Sequence, residues 1–248
     1  MANHGLFTNC GVFTGGYNIS GVSNAVSLIL TKEVRDRSVF GVNAKQKGTG
    51  LESVAASIAG FYDASQNIES EFYGVDTPVS LFIPSTGGAA VAAGDRAFFF
   101  KALESGYKRG GAFGQDEMFA YKAIGDQMGY PIGIGYVLNP GLVAVTDDDT
   151  PAGAIKELGA VAADQYLYAV LHVTEVSADD EIVVTIESDA LEAFGSPTTQ
   201  ITFSTFDAIG SEIAVRVPGP ITDTWWRAYA NVTGADVSIK YACAMAIR

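Results

Sequence analysis

The sequence predicts a mainly β protein: a barrel or sandwich domain with one short helix, followed by an antiparallel β-sandwich domain. Apolar residues alternate with polar or small residues in several segments, which is the period of a strand with one buried face. Turns rich in Gly, Pro and Asp separate these segments. Of the 248 residues, 48% are apolar and only 17% are charged, a composition typical of ordered domains.

Alternation is clearest in the C-terminal third of the chain. At residues 237–247 every odd position is apolar, and the even positions hold Ser, Lys or Ala. Residues 167–173, 182–186 and 213–217 show the same period, and turn signals separate them. Each segment therefore predicts a strand with one buried face, and together they predict a sandwich of roughly 90 residues.

The first part of the chain also predicts strands, which glycine-rich turns join in most places. The predicted strands cover residues 25–31, 52–62, 78–84, 96–103, 116–124 and 132–138. One short helix is predicted at residues 63–73, because Asp63 or Ser65 can cap its start and Gly74 follows its end. We expect this helix to plug one opening of the barrel or sandwich.

A boundary between two domains is predicted near residue 150. Residues 146–153 form an acidic stretch that contains Pro and Gly, which is typical of a linker. Residues 1–150 carry a net charge of −5 and residues 151–248 one of −8, so the second domain is the more acidic per residue. The length of the chain suits two domains, each able to bury its own core.

Residues 32–50 are predicted to form a long loop, because they lack a clear hydrophobic period. Five of the first domain's ten basic residues lie in this segment: Lys32, Arg35, Arg37, Lys45 and Lys47. A loop of this length in a compact domain is either functional or disordered. The residues alone leave both interpretations open.

The sequence contains no recognisable catalytic, cofactor-binding or metal-binding motif. Neither His4 nor His172 accompanies a nucleophile motif, and metal-ligand spacings and phosphate-binding glycine loops are absent. His172 is interpreted as an ordinary interface or surface histidine. We therefore predict that the protein is not an enzyme and uses no cofactor and no metal.

The formal net charge of −13 opposes tight binding to nucleic acid, since affinity for phosphates comes mainly from Lys and Arg. This acidity is compatible with a surface along which DNA passes without binding. Solubility from excess charge explains it equally well. No apolar run approaches the ~20 residues of a membrane helix, and the start of the sequence lacks the pattern of a signal peptide. We expect a soluble protein, made in a cytoplasm, with no membrane partner.

Trp225 and Trp226 stand side by side in a predicted strand, so their side chains point to opposite faces. One of the two is expected in the core. Trp225, Arg227 and Tyr229 then form a row on one face. Because such residues often anchor interfaces, the row is a candidate outer-surface contact for a sugar or a neighbouring subunit, and packing beneath a loop is the alternative.

Several stretches resemble the major tail tube protein of siphophage-type bacteriophages. Residues 15–30 resemble the opening turn and first long strand of that family. Residues 50–63 resemble the strand that ends in a Gly-aromatic-aromatic-Asp step before a short helix, and residues 97–102 and 114–123 resemble the closing strand pair. Three further stretches look similar to a β-sandwich domain that some of these proteins carry in addition: residues 167–173, 196–203 and 219–227.

The resemblance implies a structural virion protein of the phage tail, made in the cytoplasm of the bacterial host. Residues 1–150 would form the tube as stacked, hexameric rings with a continuous β wall, and residues 151–248 would decorate the outside. The partners implied are further copies of the chain and other tail proteins, with DNA only as passing cargo. The basic residues between Lys32 and Lys47 match in position a loop with which such proteins reach a neighbouring subunit.

Other functions stay open at this stage. A carbohydrate-binding or adhesion module would act through Trp225, Arg227 and Tyr229. A capsid decoration protein or another tail protein is the nearest structural alternative. A hydrolase with an unrecognised site is a third, which the missing catalytic motifs disfavour.

Overall fold

A computed structural model describes residues 9–37, 45, 47–63, 76–112, 114–125, 132–147, 155–234 and 237–248 of the chain. Within these residues the regular elements are β-strands, which confirms the predicted mainly β fold. The helix predicted at residues 63–73 falls, apart from Asp63, outside the described part. No helix in the described ranges is long and apolar enough to cross a membrane.

Sixteen strands are formed by the described residues. Those before the predicted boundary are β1 (Gly11–Thr14), β2 (Tyr17–Asn18), β3 (Ser23–Asp36), β4 (Lys47–Phe61), β5 (Thr77–Ile83), β6 (Arg96–Gly110), β7 (Met118–Gly125) and β8 (Gly133–Pro140). Those after it are β9 (Lys156–Glu157), β10 (Tyr166–Val176), β11 (Glu181–Asp189), β12 (Thr198–Thr202), β13 (Gly210–Ile213), β14 (Val217–Pro218), β15 (Trp225–Thr233) and β16 (Ile239–Ile247). All six strands predicted for the first domain are confirmed, as β3 to β8.

Antiparallel pairing joins twelve strands into one sheet and four into another. The large sheet runs β13-β10-β16-β8-β6-β5-β1-β2, with β14 also beside β10, and it continues from β6 through β7 and β4 to β3. The small sheet runs β12-β11-β15-β9. The large sheet curls until its ends at β13 and β2 meet without closing into a barrel, and a Cβ on Gly16 would lie 2.5 Å from the backbone nitrogen of Gly210. Glycine at position 16 therefore permits this close approach of two backbones.

The large sheet crosses the predicted boundary near residue 150. β8 pairs with β16, and Tyr136 lies opposite Met245. One core combines residues from before the boundary, such as Phe82 and Phe99, with residues from after it, such as Val170 and Ala244. The division into 1–150 and 151–248 stays a prediction; because the two sides share this core, separating them would uncover part of it.

A second core lies between the two sheets. Trp226 of the small sheet is fully buried there, together with Leu171 and Tyr241 of the large sheet. The indole Nε1 of Trp226 donates a hydrogen bond of 2.7 Å to the carbonyl oxygen of Gly159. The prediction that one residue of the tryptophan pair lies in the core is confirmed.

β16 is buried on both faces, whereas its alternation predicted one buried face. Its odd residues, such as Tyr241 and Met245, face the core between the sheets. Its even residues Ala242, Ala244 and Ala246 face the core shared by the two sides of the boundary. The cause is its central position between β10 and β8, where layers of protein cover both faces.

The strand predicted at residues 213–217 is split in two. β13 ends at Ile213 and β14 begins at Val217, and the side chain of Val215 between them is exposed. Both pieces pair with β10 at the edge of the large sheet. At such an edge the alternating apolar residues are not all covered, so their period does not ensure a continuous strand.

Residues 32–36 and 47–50 do not belong to the predicted loop, because β3 and β4 extend into this segment as an antiparallel pair; residues 38–44 and 46 lie outside the described part. Lys32 lies opposite Glu52, and Asp36 lies opposite Lys47. We call the outer part of this pair, residues 29–36 with 47–55, the arm. Every residue of β3 from Ile29 onward is exposed, so burial selects no alternation there and the sequence shows no strand period.

Candidate functional site

β3 is an edge strand of the large sheet. It pairs with β4 along most of its 14 residues, and none of the other described strands pairs with it. Its outer edge therefore presents backbone N–H and C=O groups to solvent. Long open edges are templates for pairing with another chain, and proteins normally protect them. The edge of β3 is thus a candidate assembly site.

The part of the sheet formed by β3, β4, β7 and β6 has one face in a core and one face toward solvent. On the core face, Ile58 of β4 and Phe119 of β7 are buried and pack in a third core. On the opposite face, Ser57 and Lys122 lie side by side and are exposed. This solvent face lies next to the open edge of β3.

An apolar row crosses the solvent face at right angles to the strands. Ile29 lies opposite Ala55, Ala55 opposite Ile124, and Ile124 opposite Leu103. Ile29, Ile124 and Leu103 expose 57%, 39% and 48% of their surface. An aligned row of exposed aliphatic side chains is typical of a contact surface. Sequence analysis missed this row, although adjacent apolar residues such as Leu28 and Ile29 already broke the alternation in β3.

The rows beside it are small, hydroxyl-bearing or basic. The first holds Ser27, Ser57 and Lys122, and the second holds Ala59, Ala120 and Lys108. No carboxylate occurs among the described side chains of these two rows, although the whole chain has a net charge of −13. These two rows therefore carry a positive charge, from Lys122 and Lys108.

The structure places three of the five basic candidates in the arm and the other two just beyond its strands. Lys32 and Arg35 lie on β3, Lys47 lies on β4, and Arg37 and Lys45 flank these strands. All five are exposed. Their proposed contact with another subunit stays a prediction, but their common position beside an open strand edge is compatible with it.

Two of these residues bind carboxylates within the arm. Lys32 Nζ lies 2.5 Å from Glu52 Oε1, and Arg35 Nη2 lies 2.9 Å from Glu33 Oε2. Exposed ion pairs of this kind contribute little to stability and exchange partners at small cost. The basic side chains are therefore accessible to an acidic surface of another molecule.

Glu52 connects the arm to the rest of the molecule. Its carboxylate binds Lys32 and also the guanidinium of Arg248, which follows β16. Nη1 of Arg248 donates a hydrogen bond of 3.1 Å to the carbonyl oxygen of Ile132. The hydrogen bond from Arg248, followed by that from Lys32, lowers the pKa of Glu52.

The row of Trp225, Arg227 and Tyr229 lies on the outer face of the small sheet and is half-buried. Arg227 Nη2 lies 2.7 Å from Glu187 Oε2. The guanidinium carbon of Arg227 lies 4.6 Å from the ring centre of Phe194 and 5.1 Å from that of Tyr229. Arg227 thus occupies ring faces on which a sugar would stack, and the role of this row as an outer contact stays a prediction.

His172 is fully buried, so of its two interpretations, as an interface or a surface histidine, the surface alternative is wrong. The face of β10 opposite Leu171 is covered by the first part of the chain, because the large sheet curls over it. The imidazole stacks on Phe13 with ring centres 5.4 Å apart. The alternation of β10 did not reveal that both of its faces are covered.

The potential metal ligands of the described residues are dispersed. No three His, Cys, Asp or Glu side chains in these ranges are grouped as metal ligands would be. Burial raises the pKa of the Cys10 thiol to about 11 and raises that of Cys243 further, so both thiols stay protonated near neutral pH.

No protein-family model and no curated protein matches the sequence. Solved structures that resemble the chain include one from the virion of a native gene transfer agent particle, with 10% identity and a TM-score of 0.38 over 51% of this chain and 95% of that chain. Another is from the tail of an empty gene transfer agent particle with C6 symmetry, with 13% identity and a TM-score of 0.36 over 46% of this chain and 81% of that chain. The Dit protein of phage SPP1, described as a hub adsorption apparatus of phages that infect Gram-positive hosts, has 12% identity and a TM-score of 0.33 over 96% of this chain and 99% of that chain. Similarity at this level assigns no function.

Proposed function

We propose that this chain is a non-enzymatic structural protein of a bacteriophage tail, which assembles into stacked, hexameric rings that form the tail tube. The observation that carries this proposal is the open edge of β3, which lies beside an exposed apolar row. The stretches that resemble the major tail tube family in sequence, residues 15–30 and 50–63, include much of the two strands that form the arm. The finished protein would reside in the virion, with other tail proteins as further partners.

Assembly proceeds by strand addition. β6 pairs with β5 only up to Ala102, so among the described strands its residues 103–110 pair with β7 alone and leave one edge unpaired. The edge of β3 in one copy joins this part of β6 in the next copy, where the apolar row ends at Leu103. Such a contact joins two different surfaces, so it repeats from copy to copy. The copies close into a ring when the rotation from one copy to the next adds up to a full turn. Ile29 of one copy then lies near Leu103 of the next, and the aliphatic row is shielded from water at the joint. The closed wall surrounds a channel through which DNA passes as cargo.

The arm contributes charge to the same contact. The net charge of the chain is −13, while the segment at residues 32–50 holds five basic residues and two acidic ones. This basic segment of an otherwise acidic protein is attracted to another copy of that protein. This complementarity favours contact between copies of the chain.

The other functions lack an observation of this kind. For the adhesion module, Arg227 lies against the rings of Phe194 and Tyr229, so those faces are not free to stack on a sugar. For a capsid decoration protein, no described feature favours a shell over a tube.

The test is a pair of cysteines introduced as Ile29→Cys and Leu103→Cys in one chain. Within a copy two strands separate these positions, so they lie about 14 Å apart, too far for a disulfide. If β3 joins the neighbouring sheet at β6, oxidation or a short bismaleimide cross-linker yields a ladder of covalent oligomers under denaturing conditions. Electron microscopy of the same sample is expected to show rings or tubes.

Each single variant, Ile29→Cys or Leu103→Cys, is the matched control and should give no ladder beyond a dimer. The native Cys10 and Cys243 are shielded by partial and complete burial. The proposal would be contradicted if the double variant stays monomeric after both oxidation and cross-linking and if no rings form at high protein concentration.

A further inference from the structure

The direction of the arm is set where it leaves the body of the protein. Every residue of β3 from Ile29 to Asp36 is exposed. On β4, Leu51 is 76% exposed. Contacts near the base of the arm therefore have the greatest influence on its orientation, and the Glu52 carboxylate is one of them.

Glu52 meets a residue from the other side of the predicted boundary. The guanidinium of Arg248 binds Oε2 of Glu52 through Nη2 and binds the carbonyl oxygen of Ile132 through Nη1. The side chains of Glu52 and Arg248 are 22% and 37% exposed, so solvent screens this contact only in part. The planar guanidinium of Arg248 thus contacts both the arm, at Glu52, and the segment before β8, at Ile132.

Arg248 is itself held by the large sheet. Its backbone N–H donates to the carbonyl oxygen of Tyr166 at 3.0 Å, and the N–H of Tyr166 donates to the carbonyl oxygen of Arg248 at 2.7 Å. This pair continues the ladder between β10 and β16. The guanidinium therefore extends from a backbone position that the sheet fixes.

We propose that Arg248 is a positioning residue for assembly, because it fixes the base of the arm through Glu52. The part of the chain after residue 150 then acts on ring formation directly, rather than only decorating the outside. The expected effect of Arg248 on assembly rests on the proposed function of the arm. The expected effect of Arg248 on the orientation of the arm does not rest on that proposal.

Hydrogen exchange of the full chain, diluted until it is monomeric, tests the contact separately from assembly. In Arg248→Gln we expect the amides of residues 29–36 and 47–55 to exchange roughly two- to five-fold faster, a range that corresponds to the weak coupling of partly exposed ion pairs. Amides of β10 and β11 should be unchanged. Glu52→Gln should have a similar effect, and the double variant should add little, because the two residues act through one contact.

Lys240→Gln is the matched control. Lys240 lies on the same strand, β16, and its Nζ lies 2.6 Å from Glu175 Oε2 in an exposed pair. Loss of this pair should leave exchange of the arm unchanged. Arg248→Lys keeps the charge but not the planar fork, so it should restore part of the protection.

Exchange and assembly together separate the two ideas. If Arg248→Gln leaves arm exchange at the wild-type rate, or if Lys240→Gln accelerates it equally, the positioning role of Arg248 is wrong. If exchange of the arm is faster but tubes form with normal yield and length, the contact between Arg248 and Glu52 positions the arm, and the proposed role of the arm in assembly is wrong. Faster exchange of the arm together with a lower yield of tubes supports both.

Discussion

The Oγ atom of Ser80 lies 2.7 Å from Nε2 of His172, although 92 residues separate them in the sequence. Nδ1 of the same ring lies 2.7 Å from the carbonyl oxygen of Gly15, which only accepts hydrogen bonds. The proton therefore resides on Nδ1, and Nε2 accepts from the Ser80 hydroxyl. A neutral imidazole thus joins β5, the turn after β1, and β10 across the curl of the large sheet.

Protonation of His172 should destabilise the fold. Burial lowers its pKa from 6.5 to about 4, so the unfolded chain binds the proton more tightly than the folded one. The stabilisation is complete above pH 6.5 and is lost as the pH falls toward 4, by about 3 kcal/mol in total. Denaturant unfolding across this range measures it.

The variant for comparison is His172→Asn, whose amide keeps a donor for Gly15 but does not titrate. Its free energy of unfolding should be lower at neutral pH and should depend less on pH between 6.5 and 4. Equal pH slopes in both proteins would show that other groups cause the dependence.

Replacing Trp226 should affect stability far more than replacing its neighbour. Trp226→Ala removes a fully buried ring and the donor to Gly159, and we expect a cost of about 3–5 kcal/mol. Trp225→Ala acts on a half-buried ring and should cost about 1 kcal/mol. Thermal or denaturant unfolding of the two variants gives the comparison, and equal costs would contradict the assignment of faces.

A fragment of residues 1–150 should not fold into a soluble unit. Without β10 and β16, the edge of β8 is open, and Phe82 and Phe99 lose the layer that covers them. We expect aggregation, or unfolding without a cooperative transition, in circular dichroism and light scattering. A monomeric fragment with a cooperative transition would show that the first half can complete its own core.

Reversing charge at the end of the arm should weaken assembly. Lys45→Glu with Lys47→Glu replaces attraction to an acidic neighbour by repulsion, and the loss of tube length should be greatest at low salt, where screening is weakest. Lys156→Glu with Lys240→Glu changes the net charge equally but lies outside the arm. Microscopy at two salt concentrations distinguishes a local effect from one of net charge.

The sequence predicted the strands well where one face is buried and the other is not. The strand at Glu181–Asp189 alternates and was found, as were all six strands of the first part. Prediction was incomplete where a strand has the same environment on both faces. β3 beyond Ile29 is exposed on both faces, so no period of two marks it as a strand. The alternation of β16 predicted the strand but not the burial of its second face.

Contacts between distant segments were the other part that the sequence did not reveal. Arg248 and Glu52, or His172 and Ser80, meet only because the large sheet curls and crosses the predicted boundary. No local pattern marks such pairs. Of the candidate site, the basic residues of the arm were recognised from their unusual density, whereas the apolar row needed the register of four strands.

The central place of β16 in the large sheet has a consequence for how the protein is made. On the ribosome, β8 and β10 emerge before the strand that lies between them, since β16 follows all the other described strands in the sequence. Until it is translated, both neighbours have an unpaired edge, and the aromatic residues of the shared core are only partly covered. The part of the nascent chain before β10 is therefore exposed to aggregation or to chaperones until β16 emerges, and the large sheet is completed only then.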